Sequence, residues 1–119
     1  MKERLKKLVY KNKEILIIDY SNCKEHGMIE LATAARELVL KENRNVLLLS
    51  ILNDKTYITP MFVRHVEREL RAAEQLIVKN AITGISNVQQ WIVKGINLWY
   101  KNKIHPFDSV DDALDFLVS

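Results

Sequence analysis

Three short apolar runs, separated by stretches with helical periodicity, constrain the fold of this chain most strongly. They cover residues 15–18, 46–49 and 81–85, and each ends in a polar cluster. Alternation of strand and helix is typical of an α/β protein, in which crossover helices join parallel strands. An opening pair of strands around residues 11–13 predicts an antiparallel hairpin. We therefore expect an α/β fold with a mixed β-sheet and about four helices.

The size of the chain fits one domain. Its 119 residues are 48% hydrophobic and 28% charged, which is typical of a compact domain with its own core, here residues 1–119. No apolar run is long enough for a membrane span, and the first residues are charged where a signal peptide needs apolar ones. We expect a cytoplasmic protein without a membrane span.

Cysteine usage and charge exclude several classes of function. Cys23 is the only cysteine, so no intramolecular disulfide can form, and no Cys/His spacing resembles a zinc site. The sequence therefore predicts no metal and no cofactor. The net charge is +3, but the arginines of the second helix alternate with glutamates, and the aromatic residues are not interleaved with basic ones. Nucleic acid is therefore not expected as a partner.

Periodicity and capping residues predict the individual elements. The clearest signal is Thr59-Pro60, a capping hydroxyl followed by proline at the first position of a helix. We expect Ser21, or Asn22 with Glu25, to cap the first helix. The predicted strands are 5–10, 14–20, 46–51, 81–85 and 103–107. The predicted helices are 26–42, 60–80, 88–101 and 110–118, and the second of them is long enough to bend or restart near Ala72.

Polar residues that follow the predicted strands are expected at one rim of the sheet, because parallel strands bring their carboxyl ends to the same edge. The residues in question are Asp19, Ser21, Asn22, Asn53, Asp54, Lys55, Thr56, Ser86 and Asn87. Asp19, Asn53, Asp54 and Lys55 form a possible rim site. The Asp19 carboxylate could act as a base or bind a cation together with Asp54. Lys55, near the helix starts at Thr59 and Ser86, would instead suit a small anion. The alternative is that Asp19 accepts hydrogen bonds from backbone amides of the following turn.

No recognisable catalytic set accompanies this rim, so we do not expect an enzyme. The three histidines, His26, His65 and His105, are far apart in sequence and are predicted to be solvated. Cys23, close to the predicted rim, is expected to be partly exposed and oxidisable.

The third helix carries more apolar residues than one buried stripe requires. Trp91 and Ile96 can face the sheet, whereas Val93, Leu98 and Tyr100 extend the apolar surface beyond it. Trp91, Leu98 and Tyr100 are therefore a candidate interface for a homodimer or another protein partner. The alternative is that the tryptophans are buried between the sheet and the C-terminal helix.

Several segments together resemble the small bacterial STAS-like, or SpoIIAA-like, domains. They are residues 19–21, 47–49, 81–84 and 107–117, with Thr59-Pro60. The resemblance covers nearly the whole chain and implies a STAS-like sandwich. In the better-known anti-sigma-factor antagonists a serine at the start of the helix after a central strand is phosphorylated and switches partner binding. Here that position falls in the loop of Thr56 and Thr59, which are therefore candidate phospho-acceptors.

Two functions follow from these patterns. The first is a non-catalytic regulatory or protein-interaction module of STAS-like type. The second is a carrier of a small apolar, lipid-like ligand between helices and sheet, which the comparison of this family with CRAL-TRIO domains implies. A continuous apolar cavity would favour the carrier, and a filled core beside an exposed Trp91 or Leu98 would favour the protein contact.

Overall fold

The computed structural model describes residues 4–56, 58–98 and 103–119. The strands are β1 (Leu5–Tyr10), β2 (Lys13–Asp19), β3 (Val46–Ile51), β4 (Ile77–Thr83) and β5 (Ile104–Phe107). The helices are α1 (Glu25–Glu42), α2 (Pro60–Ala73), α3 (Asn87–Asn97) and α4 (Val110–Val118).

The strands form one mixed sheet in the order β1-β2-β3-β4-β5. β1 runs antiparallel to β2, and the other three neighbouring pairs are parallel. Lys11 and Asn12 join β1 to β2 with φ angles of 48° and 68°, the backbone conformation that a two-residue hairpin loop requires. The predicted α/β architecture, with a mixed sheet and four helices, is confirmed.

The sheet is covered on both faces. β2, β3, β4 and β5 are parallel and lie side by side in chain order. Each connection between them is a helical crossover, and crossovers of the same handedness place α1, α2 and α3 on the same face of the sheet. Leu16 and Ile18 of β2 pack on that side, whereas Ile15 and Ile17 pack on the side of α4. The central strands are therefore apolar on both faces, as parallel strands covered by helices must be.

The starts of α2, α3 and α4 agree with the predicted starts to within one residue, and each carries a side-chain cap. Thr59 Oγ1 accepts a hydrogen bond from the Phe62 amide at 3.1 Å, and Ser109 Oγ accepts one from the Asp112 amide at 3.1 Å. Ser86 caps α3 in the same way, and Gln89 completes a reciprocal capping box. Each cap satisfies backbone amides that the first helical turn leaves unpaired.

The predicted cap of α1 is wrong. The residue at the cap position is Lys24, and its side chain makes no capping hydrogen bond. Ser21 and Asn22 bond instead within the turn after β2 and across to Asn53. Their side chains therefore stabilise the loop before the helix and not the helix start.

The predicted boundary between α2 and β4 is also wrong. α2 ends at Ala73, and β4 begins at Ile77, which pairs with Val46. Residues on either side of the short turn happen to continue the spacing of a helix, so periodicity alone could not separate them. β4 ends at Thr83, before Gly84, whose φ of 82° stops the strand.

α3 ends earlier than predicted, at Asn97. The Asn97 side chain then holds the start of β5, since its Nδ2 donates to the Ile104 carbonyl at 2.9 Å and its Oδ1 accepts from the Ile104 amide at 2.8 Å. The edge strand is thereby anchored to the helix that precedes it.

Candidate functional site: an apolar cavity between helices and sheet

An apolar cavity of about 100 Å³ lies between the sheet and the layer formed by α1, α2 and α3, and it is partly open to solvent. Protein interiors contain few voids larger than a water molecule. An engineered apolar cavity of roughly 150 Å³ in another protein takes up benzene. This cavity has about two-thirds of that volume and is partly open to solvent, so it offers a small apolar molecule partial enclosure.

Small side chains on the helices line this cavity. Ala32 and Ala35 of α1 and Ala73 of α2 border it, and each is buried, with an exposed fraction of 7% or less. α4, on the opposite face, lies close to β3 and β4. Ala113 of α4 and Ala81 of β4 belong to one buried cluster there, and both are fully buried. The sheet is therefore tightly packed on the α4 side and loosely packed on the other.

Two polar residues stand in the sheet wall of the cavity, Ser50 on β3 and Asn80 on β4. In the register of these strands Leu48 lies opposite Asn80 and Ile82 lies opposite Ser50, so the two polar side chains are diagonal neighbours on one face. Asn80 is 2% exposed, and no hydrogen bond joins its side chain to any residue that the structure describes. In the sequence, Asn80 could have been noticed as a polar residue in an apolar, β-branched stretch. It was missed because residue 80 lies at the end of a predicted helix.

A charged cluster lies above the cavity, between α1 and α2. Arg36 forms an ion pair with Glu69, and both side chains border the cavity. His65 Nε2 lies 2.8 Å from Thr33 Oγ1 and 3.3 Å from Glu69 Oε1. The His65 side chain is only 16% exposed, so the prediction that it is solvated is wrong. Packing of α2 on α1 buries it.

The predicted rim residues are only partly brought together. Asp19 Oδ1 accepts hydrogen bonds from the Ser21 amide at 2.9 Å and from the Ser21 hydroxyl. Asn53 Oδ1 accepts from the amides of Asn22 and Lys55 at 2.9 and 3.1 Å. These are turn-stabilising contacts. Within the described part of the chain no hydrogen bond or ion pair links Asp19 to the side chain of Asp54 or Lys55.

The two candidate phospho-acceptors both have structural partners. Thr56 is 4% exposed, and its hydroxyl lies 3.0 Å from the Tyr20 carbonyl oxygen and accepts from the Asn53 amide at 3.0 Å. Thr59 caps α2. Access of a kinase to Thr56 would require the loop to open. Phosphorylation of either residue stays a prediction.

Cys23 is 8% exposed, so the prediction of a partly exposed thiol is wrong. Arg4 covers it: its Nη1 donates to Sγ at 3.2 Å and to the carbonyls of Asp19 and Ser21 at 3.1 and 2.6 Å. The arginine therefore ties β1 to the turn after β2. In the described ranges no cluster of three or more His, Cys, Asp or Glu side chains could hold a metal ion.

Among the side chains that the structure describes, Trp91 on α3 and Leu98 at its C-cap are exposed apolar residues. Trp91 is 72% exposed and Leu98 is 89% exposed. The Lys94 ammonium, one turn after Trp91, lies 4.8 Å from the centre of its ring. The alternative in which Trp91 is buried is therefore wrong, and so is the outward placement of Val93, which is 6% exposed. Tyr100 lies outside the described residues.

The sheet order and the helices on its two faces define a SpoIIAA-like fold, as the sequence resemblance implied. A solved structure of an uncharacterised DUF3478 family protein from Shewanella loihica PV-4, described as having a SpoIIAA-like fold, superposes with a TM-score of 0.69. The two sequences are 16% identical, and the match covers 95% of this chain and 91% of that one. No family model and no curated protein matches the sequence. No helix in the described ranges is long and apolar enough to cross a membrane.

Proposed function

We propose that this chain is a non-catalytic binding protein that holds a small apolar ligand in the cavity between α1–α3 and the sheet. The observation that carries the proposal is the cavity itself, which is bordered by buried alanines and aliphatic side chains. Apolar side chains around unfilled space lack contacts that a ligand of fitting shape can supply. A ligand in this cavity should therefore stabilise the folded protein.

The test compares two neighbouring alanines at the end of α2. Ala73 is buried and borders the cavity, whereas Ala72 is exposed. Ala73→Leu fills the cavity and should abolish stabilisation by benzene, measured as the rise in melting temperature at saturating benzene. Ala72→Leu is the matched control and should respond as the wild type does.

Two results would contradict the proposal. One is a wild-type melting temperature that benzene leaves unchanged. The other is an equal rise in Ala73→Leu, because benzene would then bind elsewhere. A native mass spectrum of the purified protein adds an independent readout, since a retained natural ligand appears as added mass that Ala73→Leu lacks.

A second candidate function is a protein contact through the outer face of α3. Exposure of Trp91 on α3 and of Leu98 at the C-cap of that helix supports it, because tryptophan is a frequent anchor of protein interfaces. The partner tested first is a second copy of this chain. Leu98→Glu should convert a dimer to a monomer in sedimentation equilibrium. A wild-type protein that is monomeric at high concentration would rule out the homodimer.

A further inference from the structure

We infer that the ligand carries one neutral hydrogen-bonding group, a hydroxyl or carbonyl oxygen, which meets the Asn80 side chain at the sheet wall of the cavity. This inference rests on the proposed function, because it concerns the chemistry of the same site.

Asn80 is a polar residue in the sheet wall of the cavity. It lies in the middle of β4, is 2% exposed, and has no side-chain hydrogen bond to the described residues. Its amide atoms are not among the polar atoms that are both closed off from water and without a partner, so they face cavity space that water can enter. A ligand oxygen that accepts from Asn80 Nδ2, or a ligand hydroxyl that donates to Oδ1, would take the place of that water.

Ser50 adds a second uncharged polar side chain next to Asn80 in the sheet wall of the cavity. Ser50 is the diagonal neighbour of Asn80 and also borders the cavity. An amide and a hydroxyl side by side can bind one ligand oxygen from two sides. The rest of the sheet wall is aliphatic, and Tyr20 and Gln89 are the other uncharged polar residues that border the cavity in the described part of the chain. A ligand oxygen placed at Asn80 and Ser50 leaves the apolar part of the ligand facing the aliphatic side chains of the helices.

The charges around the cavity favour a neutral ligand over an anion. Arg36 is the nearest cation at the helix wall, but it is paired with Glu69, and both border the cavity. A carboxylate ligand would approach the Glu69 carboxylate and would lose its hydration without gaining an unpaired cation. Fatty-acid-like anions are therefore poor ligands, whereas small alcohols, phenols and ketones fit.

The test measures dissociation constants of benzene, phenol and benzoate for the wild type and for Asn80→Leu, a substitution of similar size. Phenol should lose on the order of tenfold in affinity relative to benzene when Asn80 becomes leucine, since one hydrogen bond is removed. Asn45→Leu, an exposed asparagine outside this cavity, is the matched control and should leave the ratio unchanged. Benzoate should bind the wild type at least about tenfold more weakly than phenol.

The outcomes separate this inference from the proposed function. If benzene and phenol bind and the ratio is the same in Asn80→Leu, the inference is wrong and the cavity function stands. Benzoate binding as tightly as phenol would contradict the inference that the ligand is neutral. If neither benzene nor phenol binds the wild type, the proposed function fails first.

A measurement on the wild type covers the case in which Asn80→Leu does not fold. The side-chain NH₂ resonances of Asn80 should shift in the ¹⁵N-edited NMR spectrum when phenol is added and should shift less with benzene. Equal shifts with both probes would overturn the role of Asn80.

Discussion

Gly84 packs directly against the backbone of Leu52: a Cβ added to Gly84 would lie 1.8 Å from the Leu52 carbonyl oxygen. Gly84 also has a φ of 82°, a conformation that side chains with a Cβ rarely adopt. The contact lies where β4 turns toward α3 and β3 turns toward the loop of Thr56. It therefore fixes the relative position of two loops at the carboxyl edge of the sheet.

Gly84→Ala should lower the free energy of unfolding by more than about 2 kcal/mol, because both the backbone conformation and the close approach oppose a Cβ. Gly95→Ala is the matched control. Among the described residues outside its own stretch of helix, no atom lies within 4 Å of a Cβ added at Gly95, and alanine in a helix interior is favoured over glycine by about 1 kcal/mol. Urea denaturation should give opposite signs for the two variants. A neutral Gly84→Ala would contradict the observed geometry.

Lys79 on β4 holds the end of α4. Its ammonium donates to the carbonyl oxygens of Phe116 and Ser119 at 3.1 and 2.7 Å. A cation at the carboxyl end of a helix binds carbonyls that lack intrahelical partners and opposes the helix dipole. Lys79→Met keeps most of the stem but removes the charge, so we expect a loss of about 1 kcal/mol in urea unfolding. Lys55→Met, at an exposed loop position, should be neutral.

Asp115 joins the hairpin to α4 and gives stability a pH dependence. Hydrogen bonds from the Tyr10 hydroxyl and then from Lys11 lower the pKa of the Asp115 carboxyl. A carboxyl whose pKa is lower in the folded state than in the unfolded state stabilises the protein when the pH is above the unfolded-state pKa. This stabilisation is lost as the pH falls through the folded-state pKa. Asp115→Asn should therefore lower the melting temperature at neutral pH.

The difference between wild type and Asp115→Asn should shrink as the pH falls through the acid range of a carboxyl. High salt should also reduce it, because the group is exposed. Melting temperatures across pH at low and high salt check both points, with Asp54→Asn as an exposed control. A difference that stays constant down to strongly acidic pH would contradict the assignment to ionised Asp115.

Burial of Cys23 under Arg4 predicts a slowly reacting thiol. Thiol reagents require access to the sulfur, so modification in native buffer should be at least about tenfold slower than in guanidinium chloride. Arg4→Ala should increase the native rate, because the guanidinium covers the sulfur. Rates that are equal in native and denaturing buffer would show that the thiol is open to solvent.

Local sequence predicted the starts of α2, α3 and α4 to within one residue, because each cap bonds to an amide only three residues along the chain. It also predicted that β2 is buried on both faces of the sheet, since an uninterrupted apolar run is typical of a strand covered by helices on both sides. It could not place the end of α2. The pairing of Ile77 with Val46, a contact distant in sequence, decides where the chain becomes a strand.

The sequence by itself determined the order of strands and helices, the mixed sheet and the polar character of the loops. Only the tertiary structure decided that His65 is buried, that Trp91 faces outward and that a cavity remains beside Asn80. Periodicity defines which residues share a face of a helix, but not the distance between that face and the sheet. That distance depends on side-chain volumes contributed by elements far apart in sequence, and here small residues at Ala32, Ala35 and Ala73 leave space unfilled.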